Sequence, residues 1–339
     1  PVIVAGIRTA TVWVVGMATL STPVGATSLG NYIFSGLQTQ NYTAVLVGCI
    51  AAAALALILD RLIHAMEVAL SRRNRAMIAA TVAVTLGVVG AGLSPILFAG
   101  AMQQDRPTAV IGTKTFTEQY ILGALITDEL ERAGFRTNTL ESLGSTVAFE
   151  ALAAGSIDAY VDYTGTIWAN YMQRESNPGR AAILAGAREW LQEEHGIEIA
   201  ARFGFENAYA AAMTEEAAAA YDIRTIDDLV AYAPELSLGS DYEFFGRPEW
   251  TELRSKYGLD FADLVTMDSS LMYSAVATGN VDVITAFSTD GRIPGFDLRV
   301  LEDTSGAFPP YDAIILIGGD AARSHAEIRR ALGSLEGAI

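Results

Sequence analysis

Lysine is almost missing from this chain: Lys114 and Lys256 are the two in 339 residues. Cysteine is scarcer still, with Cys49 alone, which excludes a disulfide framework and a cysteine-based metal site. The three histidines, His64, His195 and His325, are scattered, which argues against a histidine-based metal site. No H-E-x-x-H, G-x-S-x-G or P-loop pattern occurs, so no enzyme signature is present. Any ATP-driven step therefore needs another chain. Charge is also absent in one place: residues 76–104 carry none.

That uncharged run ends at Asp105-Arg106-Pro107 and divides the chain. Residues 1–105 hold five Arg against three acids, a net of +2, whereas residues 106–339 carry a net of −19. A part this acidic repels phosphate, so nucleic acid is not an expected partner. Its length suits two lobes of roughly 100 residues each.

Three apolar segments precede the junction, at residues 2–20, 44–59 and 76–102. The third is long enough to span a bilayer with some tilt. The first lacks a basic leader region and starts abruptly at Pro1, so it reads as a late part of a longer membrane chain. Arg61, Arg72, Arg73 and Arg75 crowd the loop between the second and third segments, which places that loop in the cytoplasm. The third segment then runs outward and delivers the acidic part to the outside. Arg8 falls near the cytoplasmic end of the first segment, where it is expected to snorkel. Residues 21–42 carry no charge and read as an external or cavity-lining loop.

In the acidic part, VIGTKTF at residues 110–116 reads as a buried strand followed by a turn. Thr115 and Glu118 fit a capping box for the next helix. Alternating strands and helices imply an α/β fold with largely parallel sheets. An internal echo goes further: ALAAGSIDAYVDYTGT at 151–166 parallels AVATGNVDVITAFSTD at 275–290. Tyr163 aligns with Phe287, each at the carboxyl end of an expected strand, where α/β sheets bind ligands.

Tyr163, Tyr209, Tyr273 and Phe287 each sit near an expected element end beside small or polar residues. Aromatic faces converging on one point suit a quaternary ammonium, which has no N–H to donate. Aromatics in such numbers also serve as ordinary core packing. Lys114 lies at a strand-to-helix turn and Arg247 in a loop; held together, they suit a carboxylate, the arginine as a fork.

The stretches GTKTFTEQYILG, ESLGSTVAFEAL, VDYTGT, FGFENAYA, LMYSAV, AFSTDGR and FPPYDAIILI resemble the extracellular binding proteins of osmoprotectant ABC importers. The resemblance runs in order from about residue 108 to 320. PVIVAGIRTATV and GATSLGNYIFSGL are similar to the last membrane helices of the permease from such systems. The chain thus resembles a permease fused to its binding protein. That resemblance implies an α-helical membrane segment followed by an α/β two-lobed, periplasmic-binding-protein-like domain of type II. Residues 1–75 would be permease, 76–104 a membrane helix and linker, and 105–339 the binding domain. Lobe I would comprise 107–206 and 288–339, lobe II 207–287, with the family continuing past Ile339.

The resemblance also implies a site. Tyr163, Tyr209, Tyr273 and Phe287 would cage a trimethylammonium, with Phe287 where the family usually has tyrosine. Lys114, Thr166 and Arg247 would hold a carboxylate, and Asn207 near the hinge is a further candidate. Retained cations favour glycine betaine or proline betaine over choline; a choline importer and a membrane-anchored osmolyte sensor are the alternatives. The implied partners are a cytoplasmic ATPase subunit, a second permease copy and the lipid bilayer. No cofactor and no metal are implied. The expected location is the cell membrane with the binding domain on the extracytoplasmic side.

Overall fold

A computed structural model describes residues 2–21, 28–38, 42–72, 75–99 and 106–339. Four helices come first: α1 (Val2–Thr19), α2 (Gly30–Gln38), α3 (Tyr42–Ser71) and α4 (Arg75–Ala99). Among the described residues, one helix is long and apolar enough to cross a membrane, Tyr42–Ala69 within α3. It continues well beyond the apolar run expected to end at residue 59. Helix propagation, once nucleated, carries it through Asp60 and Arg61. The end of the third apolar segment and Asp105 lie outside the described residues, as does Arg73. Part of the expected loop at 21–42 is the helix α2.

Arg8 is paired. Its Nε and Nη2 fork onto Asp60 at 2.7 and 2.9 Å, tying α1 to α3. An apolar surround favours a paired guanidinium over a lone one. Helix α2 packs on α3 and also meets elements of both lobes described next.

The remaining residues form β1 (Thr108–Lys114), α5 (Thr117–Arg132), β2 (Arg136–Leu143), α6 (Ser145–Ala153) and β3 (Ala159–Tyr163). A turn of π-helix follows at Thr166–Tyr171, then α7 (Arg180–His195) and β4 (Glu198–Glu206). The second lobe holds β5 (Tyr209–Thr214), α8 (Glu215–Ala220), α9 (Ile226–Val230), β6 (Ser237–Ser240), α10 (Pro248–Tyr257) and β7 (Asp263–Thr266). It continues with α11 (Ser269–Ala277), β8 (Val283–Phe287), α12 (Arg292–Gly295) and β9 (Leu298–Val300). The chain then returns to the first lobe as β10 (Asp312–Ile317), α13 (Gly319–Ser324) and α14 (Ala326–Gly333).

Two five-stranded sheets result, ordered β2-β1-β3-β10-β4 and β7-β6-β8-β5-β9. Position by position the two orders match. In each sheet four strands run in one direction, and the strand that crosses over from the other lobe runs antiparallel to its two neighbours. The sheets are therefore mixed, where the sequence suggested largely parallel ones. Antiparallel insertion follows from a strand entering from the opposite lobe.

The internal echo has a structural basis. Asp158, just before β3, accepts from the Val110 N–H at 2.7 Å and donates its own N–H to the Val110 carbonyl at 2.7 Å. Asp282, just before β8, holds Ser237 in the same way, at 2.8 and 3.2 Å. Each aspartate pins the start of the neighbouring parallel strand. The expected return to lobe I at residue 288 needs correction: β9 pairs with β5, so residues 288–301 stay with the second lobe. Residues 302–308 also stay bonded to or packed on the second lobe, so the crossings are residues 207–208 and 309–311.

Each lobe has its own core. Leu122, Ile126 and Leu130 of α5 pack on Ile111, Val161 and Ile315, whereas Ile226, Leu229 and Leu253 pack on Leu238 and Ile284. Helix α5 sits close to β1: a Cβ on Gly123 would come within 2.3 Å of Thr113 Cγ2. That closeness fixes where the first turn of α5 meets the end of β1, beside Lys114.

Candidate functional site

The strand ends of both sheets face one cleft. Lys114 ends β1, Tyr163 ends β3, Phe287 ends β8 and Tyr209 begins β5. Tyr209 and Phe287 are direct cross-strand partners. Phe116, between β1 and α5, completes a run of four rings. Phe116 lies 6.0 Å from Tyr163 and stacks on Phe287 at 4.9 Å, and Phe287 lies 5.4 Å from Tyr209. The run Tyr163–Phe116–Phe287–Tyr209 thus spans from lobe I to lobe II. Phe116 was not among the expected cage residues, although it lies inside the GTKTFTEQ stretch.

The tyrosine hydroxyls are anchored behind the rings. Tyr163 donates to Glu118 Oε1 at 2.5 Å and accepts from Gln119 Nε2 at 3.1 Å. Tyr209 donates to Asp241 Oδ2 at 3.0 Å. Burial pushes both phenols well above their ordinary value; Glu118 adds to this for Tyr163, while hydrogen bonds from Gln119 and Asn207 oppose it. Both phenols therefore stay protonated, and their ring faces carry the quadrupole that attracts a cation. The expected capping box is absent: Phe116 occupies the cap position and no side chain caps α5. Glu118 faces the cleft instead, and its Oε2 accepts from Thr289 of lobe II at 2.5 Å.

Tyr273 is placed differently. It is fully buried behind Phe287 and its hydroxyl accepts from the Phe287 N–H at 3.0 Å. The Arg292 guanidinium covers its ring at 4.2 Å. Tyr273 thus fixes the backbone of Phe287, with its own face already holding a cation.

The two expected carboxylate-binding cations are both near tyrosine rings and both partnered. Lys114 Nζ lies 5.3 Å from the Tyr163 ring and donates to Asp162 Oδ1 at 2.5 Å. Asp162 also accepts from the Tyr160 hydroxyl and the Tyr163 N–H. Burial lowers the Lys114 pKa, and Asp162 works against that. Arg247 lies 5.6 Å from the Tyr209 ring. Its Nη2 donates to Ser145 Oγ at 2.9 Å and to Glu243 Oε2, and Nη1 approaches Glu249 at 3.8 Å. Burial would lower its pKa, yet Tyr209, Glu243 and Glu249 hold it well above the ordinary value. Burial likewise works to raise Glu243, but Arg247 and Ser145 bring it down to about 2. Glu243 Oε1 accepts from the Ser145 N–H at 2.9 Å, at the N-terminus of α6.

Thr166 is buried at the start of the π-helical turn. It lines a cavity of about 350 Å³ together with Ser145, Asn170, Glu243 and Arg247. Thr166 and Arg247 are therefore brought together, whereas Lys114, paired with Asp162, does not line that cavity although the charge of Arg247 reaches it. Asn207 lies at the first crossing and donates its N–H to the Tyr311 carbonyl at 3.0 Å. It lines a separate cavity of about 150 Å³ with Phe116, Glu118 and Phe287. A third cavity, about 200 Å³, lies where Phe34 of α2 meets Thr115 and Gly144 of lobe I and Asp241, Tyr242 and Ser269 of lobe II.

Two sheets of matching order, double crossings and ligand-facing strand ends define a two-lobed solute-binding protein. The chain belongs to the family of substrate-binding domains of ABC-type glycine betaine transport systems, whose pattern matches residues 107–338. This is a family of transport proteins, not of enzymes. Over all of this chain it is 30% identical to an ergothioneine transport permease/ergothioneine binding protein of Helicobacter pylori, and it spans 63% of that protein's length. It is 35% identical to a glycine-betaine-binding protein of Pseudomonas aeruginosa, covering 68% of this chain and 78% of that one. A crystal structure of a glycine betaine/carnitine/choline ABC transporter superimposes with a TM-score of 0.56 at 27% identity, over 68% of this chain and 87% of the other.

Proposed function

We propose that this chain is the membrane-spanning and substrate-capturing subunit of an ATP-driven importer of a trimethylammonium betaine. The observation that carries the reading is the four-ring run Tyr163–Phe116–Phe287–Tyr209, with Lys114 and Arg247 beside its end members. The rings supply faces for the ammonium, each worth roughly 0.5–2 kcal/mol when desolvated. Arg247, Thr166 and Lys114 supply the end that receives the carboxylate, and Tyr273 holds Phe287 in place. Glycine betaine and proline betaine are the simplest ligands of this shape.

The ligand seats as the lobes close about residues 207–208 and 309–311. Helix α2 touches both lobes at the cleft mouth through the cavity that Phe34 lines, which suits a membrane element that reads closure. The basic loop after α3 faces the cytoplasm, so α4 leads the binding domain outward. Two copies of the permease part and a separate ATPase subunit complete the importer. Residues 1–75 supply the permease portion, 76–104 the span and linker, and 105–339 the receptor. Tethering keeps the receptor at an effective concentration of about millimolar over its permease.

Calorimetric titration of the full chain in lipid nanodiscs with glycine betaine and with choline tests this. Betaine binding that weakens in Tyr163→Ala and in Arg247→Ala supports the reading. Stronger choline binding keeps the rings and removes Arg247 from the ligand. No binding of either by folded protein rejects it.

A further inference from the structure

The internal echo aligns Tyr163-Thr164 with Phe287-Ser288, and its two aspartates account for the strand starts only. The hydroxyl residues that follow the rings have partners of their own. Thr164 Oγ1 donates to the Pro310 carbonyl at 3.1 Å and accepts from the Asp312 N–H at 3.0 Å. It thus grips the second crossing on both sides of Tyr311. Ser288 Oγ accepts from the Ala208 N–H at 3.0 Å, and the Ser288 N–H donates to the Ala208 carbonyl at 2.9 Å. It grips the first crossing. Each lobe therefore holds one crossing by the residue next to its own ring. The crossings are joined in turn, since the Asn207 N–H donates to the Tyr311 carbonyl at 3.0 Å.

The ring residues are fixed within their lobes. The Tyr163 N–H donates to Asp162 Oδ1 at 2.8 Å, and the Phe287 N–H to the Tyr273 hydroxyl at 3.0 Å. Across the sheets, Tyr163 pairs with Ala313 and Phe287 with Tyr209, residues that closely follow the crossings. Pro309 and Pro310 have no N–H to donate, so the second crossing depends more on side-chain partners. It also has little room to shift: a Cβ on Gly165 would come within 2.8 Å of the Tyr311 ring and 2.9 Å of the Pro310 carbonyl. Thr164 is fully buried, so solvent cannot replace its bonds, whereas Ser288 is exposed. Neither residue lines the three cavities at the cleft.

We propose that Thr164 and Ser288 are a matched pair of hinge clamps. They are positioning residues: each keeps a ring in register with a crossing, so that seating a ligand on the rings is passed on to lobe closure. They act without touching the ligand. With both clamps in place the lobes turn about the short span between them, and the rings of the two lobes meet in one closed arrangement. Without a clamp the crossing gains slack, and a ligand must supply the ordering of the closed form as it binds. The inference rests on the two-lobed fold and holds whichever solute the cleft takes.

The test compares Thr164→Val, Thr164→Ser and Ser288→Ala with wild type, each as the full chain in nanodiscs. Affinities for glycine betaine and choline are read by calorimetry, and dissociation rates by stopped flow. Thr164→Val should weaken both ligands about tenfold through faster dissociation and leave their ratio unchanged, the scale of one buried hydrogen-bonding group lost. Ser288→Ala should act in the same direction by about threefold, because solvent can serve the Ala208 N–H. Thr164→Ser keeps the hydroxyl and should bind as wild type does. A second readout needs no ligand. Dyes on Glu150→Cys of lobe I and Asp260→Cys of lobe II, both exposed positions, report the distance between lobes by single-molecule energy transfer. The labelled chain carries Cys49→Ser and is diluted into unlabelled chain. Thr164→Val should broaden the distance distribution, and Thr164→Ser should restore it. A lower melting temperature with an unchanged distribution and dissociation rate would mark a merely structural role and overturn the inference. A changed ratio between the two ligands would place Thr164 in contact with the ligand and overturn it as well. Should neither ligand bind folded wild type, the proposed function falls, and the distance distribution alone decides the clamps.

Discussion

Arg247 of lobe II reaches Ser145 of lobe I across the cleft, its Nη2 donating to Ser145 Oγ at 2.9 Å. The same nitrogen holds Glu243, whose other oxygen accepts the Ser145 N–H at 2.9 Å. One side chain thus joins the lobes, and in the proposed function it also offers its charge to a ligand carboxylate. Arg247→Ala should weaken betaine binding by about 100-fold, the scale of losing a buried charge-assisted contact. Ser145→Ala, which removes the lobe contact alone, should cost far less. Titration of both variants with one betaine separates the two contributions.

The hydroxyl and the face of Tyr163 should separate in the same manner. Tyr163→Phe keeps the ring near Phe116 and loses the bond to Glu118. Tyr163→Ala removes the ring, and with it roughly 1–2 kcal/mol of cation–π attraction, about tenfold or more in affinity. The expected order of dissociation constants is wild type, then Phe, then Ala.

Acid should loosen the contact between lobes. Glu243 is held at about 2, below its ordinary 4.5, by Arg247 and Ser145 against the effect of burial. A depressed carboxylate stabilises the folded form above about 4.5, and that contribution is lost as pH falls toward 2. The melting temperature of the wild type should therefore exceed that of Glu243→Gln at pH 6 and converge with it in the acid range. A constant gap at all pH values would reject the role given to Glu243.

Lys114 and Asp162 form a buried pair 2.5 Å apart. Lys114→Met leaves the carboxylate buried without its countercharge and should cost about 3 kcal/mol of stability. Lys114→Met with Asp162→Asn together should recover most of it. Denaturant unfolding of the single and double variants measures the coupling.

Phe34 of α2 contributes to the cavity shared by both lobes. Phe34→Asp should leave betaine affinity within about threefold of wild type and reduce uptake in proteoliposomes at least tenfold, since burying a charge there disfavours docking. Parallel loss of binding and uptake would place Phe34 within the receptor's own stability instead.

Much of the two-lobed plan was legible because each lobe repeats one local device. The Gly-turn-Asp-strand pattern around Asp158 recurs around Asp282, and both aspartates bind the adjacent parallel strand. The strand order was not legible, because β10 and β5 enter their sheets from the opposite lobe and nothing local marks an antiparallel insertion. The three-residue strand β9 was missed for a related reason: Leu298–Val300 is too short to show a period, and β5 alone defines it. At the site, residue types pointed to Tyr163, Tyr209, Tyr273, Phe287, Lys114 and Arg247, and the family resemblance added Thr166 and Asn207. The carboxylates that partner them were overlooked. Glu118 fitted a helix cap equally well, and Glu243, four residues before Arg247, matched a common surface pairing.

The interrupted first lobe has a consequence for how the protein is made. Strand β10 sits between β3 and β4 in its sheet, yet it is translated after the whole of β5 to β9. As the chain emerges, the later-starting lobe has all its strands first. The earlier-starting one waits with two open strand edges until residues 312–317 arrive. Until then those exposed edges are the stretch on which a chaperone would act, and slowing synthesis just before residue 312 would lengthen that vulnerable interval.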